Sequence, residues 1–225
     1  MSFLSNATRR RSFLYMVSVS VVIGFALLLS ACGSSTSTGS SGTPTTKTTI
    51  AAPTGLITSG ILTVGSDTTY PPQEYIDTAT GKATGFDVDL ITEMAKRMGL
   101  TATIKTANFT TIVDDLKAKR YDVVISAQTI TPDRQKQVDF VPYFNAGQSI
   151  LVANGNPKKI NALTDLCGKT VGVQDGSTEQ TTLNATNKTD CKADPAKLTV
   201  LSAQTDVINL LVSGRVDATF QDSPV

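Results

Sequence analysis

Charged side chains in this chain occupy positions from which they could hold a small zwitterion. Arg134 carries a planar guanidinium whose two-pronged donor fits a carboxylate. Asp67 and Asp222 are carboxylates that can accept hydrogen bonds from an ammonium group. The residues Gly176-Ser177-Thr178 lead into a predicted helix, and the free N–H groups of a helix start suit an anion.

Each of these side chains also has a purely structural explanation. Arg134 could pair with Asp133 or Asp139 on the surface, where an ion pair contributes little to stability. Asp222 could cap a helix, and Tyr70 could belong to the core. We favour the binding interpretation because all of these residues follow predicted strands, and ligands of open α/β sheets bind outside the carboxyl ends of the strands.

The composition excludes several kinds of chemistry. The chain has no histidine, which removes the Ser-His-Asp and Cys-His nucleophiles and the commonest metal ligand. Its formal net charge is only +1, whereas nucleic-acid-binding proteins carry a basic electrostatic footprint. We therefore expect no metal or other cofactor, no nucleic-acid partner and no catalytic residue.

The pattern of apolar residues predicts the elements that must position these side chains. In the first half we predict strand 61–65, helix 86–98, strand 101–106, helix 112–119, strand 123–125, a short helix from Pro132 and strand 148–153. In the second half we predict strand 170–173, a helix from Ser177, strand 198–201, helix 206–213 and strand 218–220. Alternating strands and helices predict an α/β fold with parallel sheets.

Two segments of the sequence repeat. Thr63-Val64-Gly65 resembles Thr170-Val171-Gly172, and 116–122 resembles 211–217. In both copies of the second segment a helix ends, an aspartate follows and a strand begins. The repeat predicts two lobes of one design, which we assign to residues 56–150 and 151–225, with a ligand cleft between them.

The first 32 residues have the layout of a secretory signal. A cluster of three arginines at 9–11 precedes the uncharged stretch 13–29, and Leu29-Ser30-Ala31-Cys32 resembles the bacterial lipobox. The alternative is a membrane anchor, although about 17 residues is near the lower limit for spanning a bilayer. We interpret 1–31 as a lipoprotein signal peptide and Cys32 as the lipidated residue, so the rest of the chain is expected outside the cytoplasm.

Residues 32–55 consist of the lipidated cysteine and a flexible tether rich in Ser, Thr and Gly. Beyond them, Cys167 and Cys191 remain, and an even number of cysteines in an oxidising compartment predicts a disulfide. It would contribute about 3 kcal/mol by closing its loop. The alternative is two buried free thiols.

Three blocks of sequence carry a family resemblance. They are Val64 to Tyr75, Gly85-Phe86-Asp87-Val88-Asp89-Leu90, and the set 121–126, 129–134 and 138–140. Together they resemble the amino-acid-binding family of bacterial ABC-transporter substrate-binding proteins, the type that includes the histidine and lysine-arginine-ornithine binders. The resemblance extends from Gly60 to Asp222 and implies the two-lobed periplasmic-binding-protein fold.

The resemblance also implies a role for each site residue. Arg134 would clamp the α-carboxylate, helped by backbone N–H groups at Thr129 and Thr178, and Asp222 would take the α-ammonium together with the backbone at Ala127. Aromatic walls and a side-chain pocket complete the implied site, which also contains Glu179. The predicted ligand-binding residues are Asp67, Tyr70, Phe109, Ser126, Ala127, Gln128, Thr129, Arg134, Gln174, Ser177, Thr178 and Asp222.

Two features depart from the family pattern. Gln73 occupies a position where the family usually has an aromatic residue. The family body also returns to the first lobe and ends there with a helix, whereas this sequence ends at Val225. We therefore expect an incomplete second lobe, a missing return to the first lobe and a hinge near 144–153.

The function that the resemblance implies is capture of an L-amino acid, with a polar or basic side chain favoured by Asp67. A lipid-anchored monomer would deliver the ligand to an ABC permease and its ATPase. One alternative is a sensor built on the same module. Another is an enzyme resembling cyclohexadienyl dehydratases or peptidoglycan lyases, in which Glu179 would act as the acid or base.

Overall fold

The computed structural model of this protein describes residues 50–224. The predicted signal peptide, the predicted lipidated Cys32 and most of the predicted tether lie outside the described residues. The part of the tether that is described, 50–55, contains no helix or strand and is exposed. No helix within 50–224 has both the length and the apolar character needed to cross a membrane.

The first lobe is built on a parallel sheet. Its elements are β1 (Ile61–Ser66), β2 (Thr69–Tyr70), β3 (Glu74–Ile76), β4 (Ala83–Thr84), α1 (Phe86–Arg97), β5 (Thr101–Thr106), α2 (Ile112–Lys117), β6 (Val123–Val124) and α3 (Pro132–Gln135). The main sheet has the order β5-β1-β6, and β2, β3 and β4 form a small antiparallel sheet. The core of this lobe consists of Leu62, Val64, Ile91, Ala95 and Ile125.

The second lobe has a larger sheet. Its elements are β7 (Ala146–Val152), a 3-10 turn (Leu163–Leu166), β8 (Thr170–Gln174), α4 (Thr178–Lys188), β9 (Lys197–Leu201), α5 (Gln204–Val212) and β10 (Ala218–Pro224). The strand order is β7-β10-β8-β9, with β7 antiparallel to β10 and the other pairs parallel. The core consists of Ile160, Leu166, Val171, Val173, Leu183, Ala196, Ala218 and Phe220.

The two-lobed α/β fold predicted from the sequence is confirmed, and so is the disulfide. Cys167 and Cys191 are bonded, with a Cα–Cα distance of 5.1 Å, and they tie the end of the 3-10 turn to the segment after α4.

Strand pairing corrects two of the sequence-based predictions. Residues 146–150, which we assigned to the first lobe, belong to β7 and pair with β10 in the second. The same pairing extends β10 to Pro224, so Asp222 lies within a strand rather than after one. The parallel contact of β10 with β8 covers only Ala218 and Thr219, so the antiparallel partner determines the length of β10.

Candidate ligand-binding site

A small polar cavity lies between the two lobes, with a volume of about 20 Å³. The first lobe contributes Asp67, Tyr70, Glu74, Phe109, Ser126 and Ala127 to its lining, and the second contributes Gln174, Ser177, Glu179, Gln204, Phe220, Gln221 and Asp222. This volume is enough for about one water molecule. A ligand the size of an amino acid therefore requires the lobes or their side chains to move apart.

Arg134 bridges the lobes at one side of this cavity. Its Nη1 donates to the Thr129 carbonyl at 2.8 Å in the first lobe, and its Nη2 donates to the Gly176 carbonyl at 3.0 Å in the second. The guanidinium also lies over the Phe109 ring, 5.6 Å from its centroid. The alternative surface pairing with Asp133 is not present, since Asp133 pairs with Lys136 at 2.7 Å.

The local sequence fixes the position of Arg134 through the short helix α3. The Thr131 hydroxyl caps this helix by accepting from the Arg134 N–H at 3.2 Å, and Pro132 occupies the first turn, where its missing N–H does no harm. The start of α4 lies close by, because the hydroxyls of Thr129 and Thr178 are 3.5 Å apart. Backbone N–H groups at this helix start can therefore assist Arg134 in holding a carboxylate.

Asp67 forms the second polar link between the lobes. Its Oδ2 accepts from the side-chain amide of Gln174 at 2.6 Å, and its Oδ1 accepts from the Thr69 hydroxyl at 3.0 Å. The Asp67 side chain is only 3% exposed, and burial raises its pKa above the ordinary value for aspartate. The Asp67 carboxylate therefore has only neutral hydrogen-bond donors as partners. A cationic group placed beside it would stabilise its charged form.

Asp222 and Glu179 form a pair of carboxyl groups at the other side of the cavity. Burial raises the pKa of Asp222 to about 7, helped by a hydrogen bond with Glu179 and by the charge of Glu179, while Arg134 opposes the shift. The Tyr70 hydroxyl donates to the Asp222 backbone carbonyl at 2.8 Å and so connects the first lobe to β10. An ammonium group is the natural partner for two such carboxyls.

A second carboxyl pair consists of Glu74, which lines the cavity, and Asp87, which is fully buried inside the first lobe. The Ser126 hydroxyl donates to Glu74 Oε1 at 2.9 Å, and the Tyr143 hydroxyl donates to Asp87 Oδ2 at 2.7 Å. Burial and the neighbouring Asp87 raise the pKa of Glu74 to about 10, so this pair holds a proton at neutral pH. The backbone N–H of Ala127 also donates to Asp87, which ties the pair to the rim of the cavity.

The structure brings most of the predicted ligand-binding residues together. Asp67, Tyr70, Phe109, Ser126, Ala127, Gln174, Ser177 and Asp222 line the cavity, and Thr129, Arg134 and Thr178 form the adjoining bridge. Gln128 does not line the cavity and instead lines a larger, mainly apolar groove, which also includes Tyr70 and Thr129 of the first lobe and Thr178 and Asp222 of the second. The departure at Gln73 has a structural consequence, because its buried side chain lines the same groove rather than the cavity.

Sequence reasoning missed several residues of the site. Neither Glu74 nor Asp87 is among the predicted ligand-binding residues, although both lie within the blocks of the family resemblance. A charged residue in the apolar pattern of α1 was the signal for Asp87, which is fully buried. Gln204 and Gln221 also line the cavity and bond to each other at 2.8 Å.

Two α/β lobes that enclose a polar cavity define the periplasmic-binding-protein type of fold. The chain belongs to family 3 of the bacterial extracellular solute-binding proteins, whose family profile matches residues 62–195.

Individual relatives agree with this assignment. The lysine/arginine/ornithine-binding periplasmic protein of Escherichia coli (strain K12) is 38% identical over 160 residues, which are 71% of this chain and 59% of that protein. The L-cystine-binding protein TcyA of Bacillus subtilis (strain 168) is 34% identical over 163 residues, which are 72% of this chain and 58% of that protein. The chain thus spans just under three fifths of the length of each.

Solved structures show the same similarity. An ancestral arginine-binding protein bound to arginine is 41% identical and superposes with a TM-score of 0.67, over 72% of this chain and 70% of that chain. At this level of identity the similarity extends beyond the fold to the sequence.

Proposed function

We propose that this chain captures an L-amino acid outside the cytoplasm and passes it to an ABC importer. The observation that carries the proposal is the bridge at Arg134, whose guanidinium contacts both lobes beside the start of α4. Asp222 lies across the same cavity and suits the α-ammonium group. The relatives support this reading, since their names record binding of basic amino acids or of cystine.

Closure of the two lobes is the mechanism that fits this geometry. The ligand carboxylate would replace carbonyl oxygens as the partner of Arg134, and the ligand would favour the closed form only through contacts that the open form lacks. Among the described residues the chain passes between lobes through 136–145, which contain no helix or strand. We therefore assign the hinge to 136–145 rather than to 144–153, because β7 pairs with β10 along its whole length and cannot bend freely.

Asp67 indicates which side chains the pocket favours. It is buried, carries only neutral hydrogen-bond partners and lies with Gln174 at the cavity wall. A cationic or polar ligand side chain would pair with it, so we propose that basic and polar amino acids bind best. Capture requires no bond to be made or broken, and the proposal assigns no catalytic residue.

The proposed cellular setting follows from the N-terminal sequence. We propose that residues 1–31 direct export, that Cys32 receives the lipid, and that the body acts as a monomer at the outer face of the membrane or in the periplasm. An ABC permease and its ATPase would be its partners.

The test is a binding measurement on the full chain, purified in a mild detergent, against a panel of L-amino acids. Arg134→Ala should weaken binding by about 3–5 kcal/mol, because it leaves the ligand carboxylate buried without a charged partner. By calorimetry this is a loss of affinity of about 150-fold to several thousand-fold. The matched control is Arg97→Ala, which removes an exposed arginine of α1 that pairs only with Glu93.

The control variant should bind like the unaltered chain. Unchanged affinity in Arg134→Ala would remove the basis of the proposal, and so would the absence of any amino-acid binding by the unaltered chain.

A further inference from the structure

We infer that Glu179 makes the ammonium end of the pocket a two-carboxyl site, in which the ligand ammonium displaces a proton that Asp222 holds beside Glu179. This inference rests on the proposed function and assigns Glu179 a specific part in it. It concerns the α-ammonium, which every L-amino acid carries, rather than the ligand side chain.

The position of Glu179 is fixed from three directions. It is the second residue of α4, whose start is capped by the Ser177 hydroxyl accepting from the Gln180 N–H at 3.0 Å. Its Oε1 accepts from the Gln148 amide at 2.8 Å, and its Oε2 accepts from the Thr178 hydroxyl at 3.2 Å. The side chain is 4% exposed and faces the cavity.

Asp222 faces the same space from β10. Its carboxyl and that of Glu179 are within hydrogen-bonding reach of each other, and both line the cavity. Two carboxyls in such contact cannot both ionise cheaply, and a single proton between them relieves the repulsion. The raised pKa of Asp222, about 7, agrees with that arrangement.

Among the titratable groups on the neighbouring elements, Asp67 adds to the negative charge, whereas burial keeps a proton on Glu74 and on Tyr70. Asp67 follows β1 and Glu74 begins β3, while Tyr70 of β2 is a neutral phenol beside Asp222. Arg134 of α3 is the cation that faces the pair, and its guanidinium already donates to two carbonyls. A ligand carboxylate would pair with Arg134, so Arg134 would no longer offset the negative charge of Asp222 and Glu179. The carboxyl pair therefore needs a second positive charge, the ligand ammonium, in order to lose its proton.

Binding should therefore release a proton when the pH is below about 7. With one proton displaced from a group of pKa near 7, affinity rises about tenfold between pH 6 and pH 8. Glu179→Gln removes the second acid and keeps the size and hydrogen-bonding capacity of the side chain. Burial is the larger cause of the raised Asp222 pKa and stays in place, so this pKa should fall only part of the way towards its ordinary value. The affinity should then change less between pH 6 and pH 8 than it does in the unaltered chain.

The experiment is calorimetry on the full chain in a mild detergent with L-arginine and L-glutamine as the two probes. Titrations at pH 6, 7 and 8, each in two buffers of different ionisation enthalpy, count the protons released on binding. The unaltered chain should release about one proton at pH 6 with either probe. Glu179→Gln should release clearly fewer protons than the unaltered chain. The matched control Glu93→Gln, an exposed acid on α1, should behave like the unaltered chain.

Each other outcome is decisive. Binding without proton release, or a pH profile that is unchanged in Glu179→Gln, overturns the inference and leaves the proposed function standing. Proton release with L-arginine but not with L-glutamine also overturns it, because the proton would then belong to the side-chain end near Asp67. If neither probe nor any other amino acid binds to the unaltered chain, the proposed function fails and the inference fails with it.

Discussion

The two lobes contain the same three-stranded unit. The order β5-β1-β6 in the first lobe corresponds to β9-β8-β10 in the second, with parallel pairing throughout. Equivalent aspartates close both units: Asp122 accepts from the Thr63 N–H at 2.7 Å, and Asp217 accepts from the Thr170 N–H at 2.9 Å. The repeat that was visible in the sequence thus corresponds to a shared piece of structure.

The lobes differ in what surrounds this unit. In the second lobe β7 pairs with the outer side of β10, and a disulfide ties the 3-10 turn to the end of α4. In the first lobe β6 is an edge strand of the described sheet, and Val123, Val124 and Ile125 line an apolar groove of about 660 Å³. The same unit is therefore enclosed in one lobe and open on one side in the other.

The cores differ in chemistry as well. Both lobes bury carboxyl groups, but the first lobe buries two that are in contact, Glu74 and Asp87, whereas the second buries Glu179 at the wall of the cavity. A buried acid is tolerated only with a proton, a partner or a countercharge. Stability should therefore depend mainly on packing in the second lobe and partly on pH in the first.

Matched truncations in the two cores should produce the largest difference. Leu183→Ala removes a side chain that is 1% exposed and enclosed in the second core, and it should cost about 4 kcal/mol. Ile91→Ala removes a side chain of the first core that lines the open groove, and it should cost about 2 kcal/mol because it leaves no enclosed cavity. Hydrogen exchange of peptides from each lobe measures both values in the full chain.

Each variant should accelerate exchange mainly in its own lobe. Equal costs for Leu183→Ala and Ile91→Ala would mean that the groove is closed in solution, and the contrast between an enclosed and an open core would be lost.

The features predicted from the sequence depend on neighbouring residues, and the features that were missed depend on contacts between distant segments. Arg134 and Asp67 were predicted because each follows a predicted strand, and Pro132 marks the start of the short helix that carries Arg134. The Glu74 and Asp87 pair was missed because it forms only when β3 and α1 pack together. The length of β10 was also missed, since it depends on β7, which lies about 70 residues away in sequence.

The buried acids should make the stability of the first lobe depend on pH. The pKa of Glu74 is raised from 4.5 to about 10. Its protonated form is bound more tightly in the folded state, so its contribution to stability is complete below the unfolded pKa near 4.5 and is lost as pH rises towards 10. The free energy of unfolding should therefore fall between pH 5 and pH 9.

Glu74→Gln should flatten this dependence, because an amide can replace the protonated acid towards both Ser126 and Asp87. We expect the variant to be more stable than the unaltered chain by about 2 kcal/mol at pH 8 and similar to it at pH 5. Urea unfolding followed by circular dichroism at both pH values measures the difference. The control Glu93→Gln carries the same chemical change at an exposed site and should leave the slope with pH intact. If the stability of the variant falls between pH 5 and pH 8 as steeply as that of the unaltered chain, Glu74 is ionised in the folded chain.

The smallest effects should come from the equivalent aspartates, Asp122 and Asp217. They test whether the two copies of the repeat also contribute similarly to stability. Asp122→Asn and Asp217→Asn each weaken hydrogen bonds to strand N–H groups and should cost about 1 kcal/mol. Asp217 also accepts from the Thr170 hydroxyl at 2.9 Å and pairs with Lys158 at 3.3 Å, so its loss should be the larger.

Acid should separate the two aspartates further. Hydrogen bonds from Thr170 lower the pKa of Asp217, so its contribution is present above the unfolded pKa near 3.8 and is lost as pH falls through the lower folded value. Urea unfolding at pH 7 and pH 3 should therefore show the cost of Asp217→Asn shrinking in acid. A cost of several kcal/mol at Asp122 with none at Asp217 would mean that the two lobes share a strand arrangement but not the interactions that stabilise it.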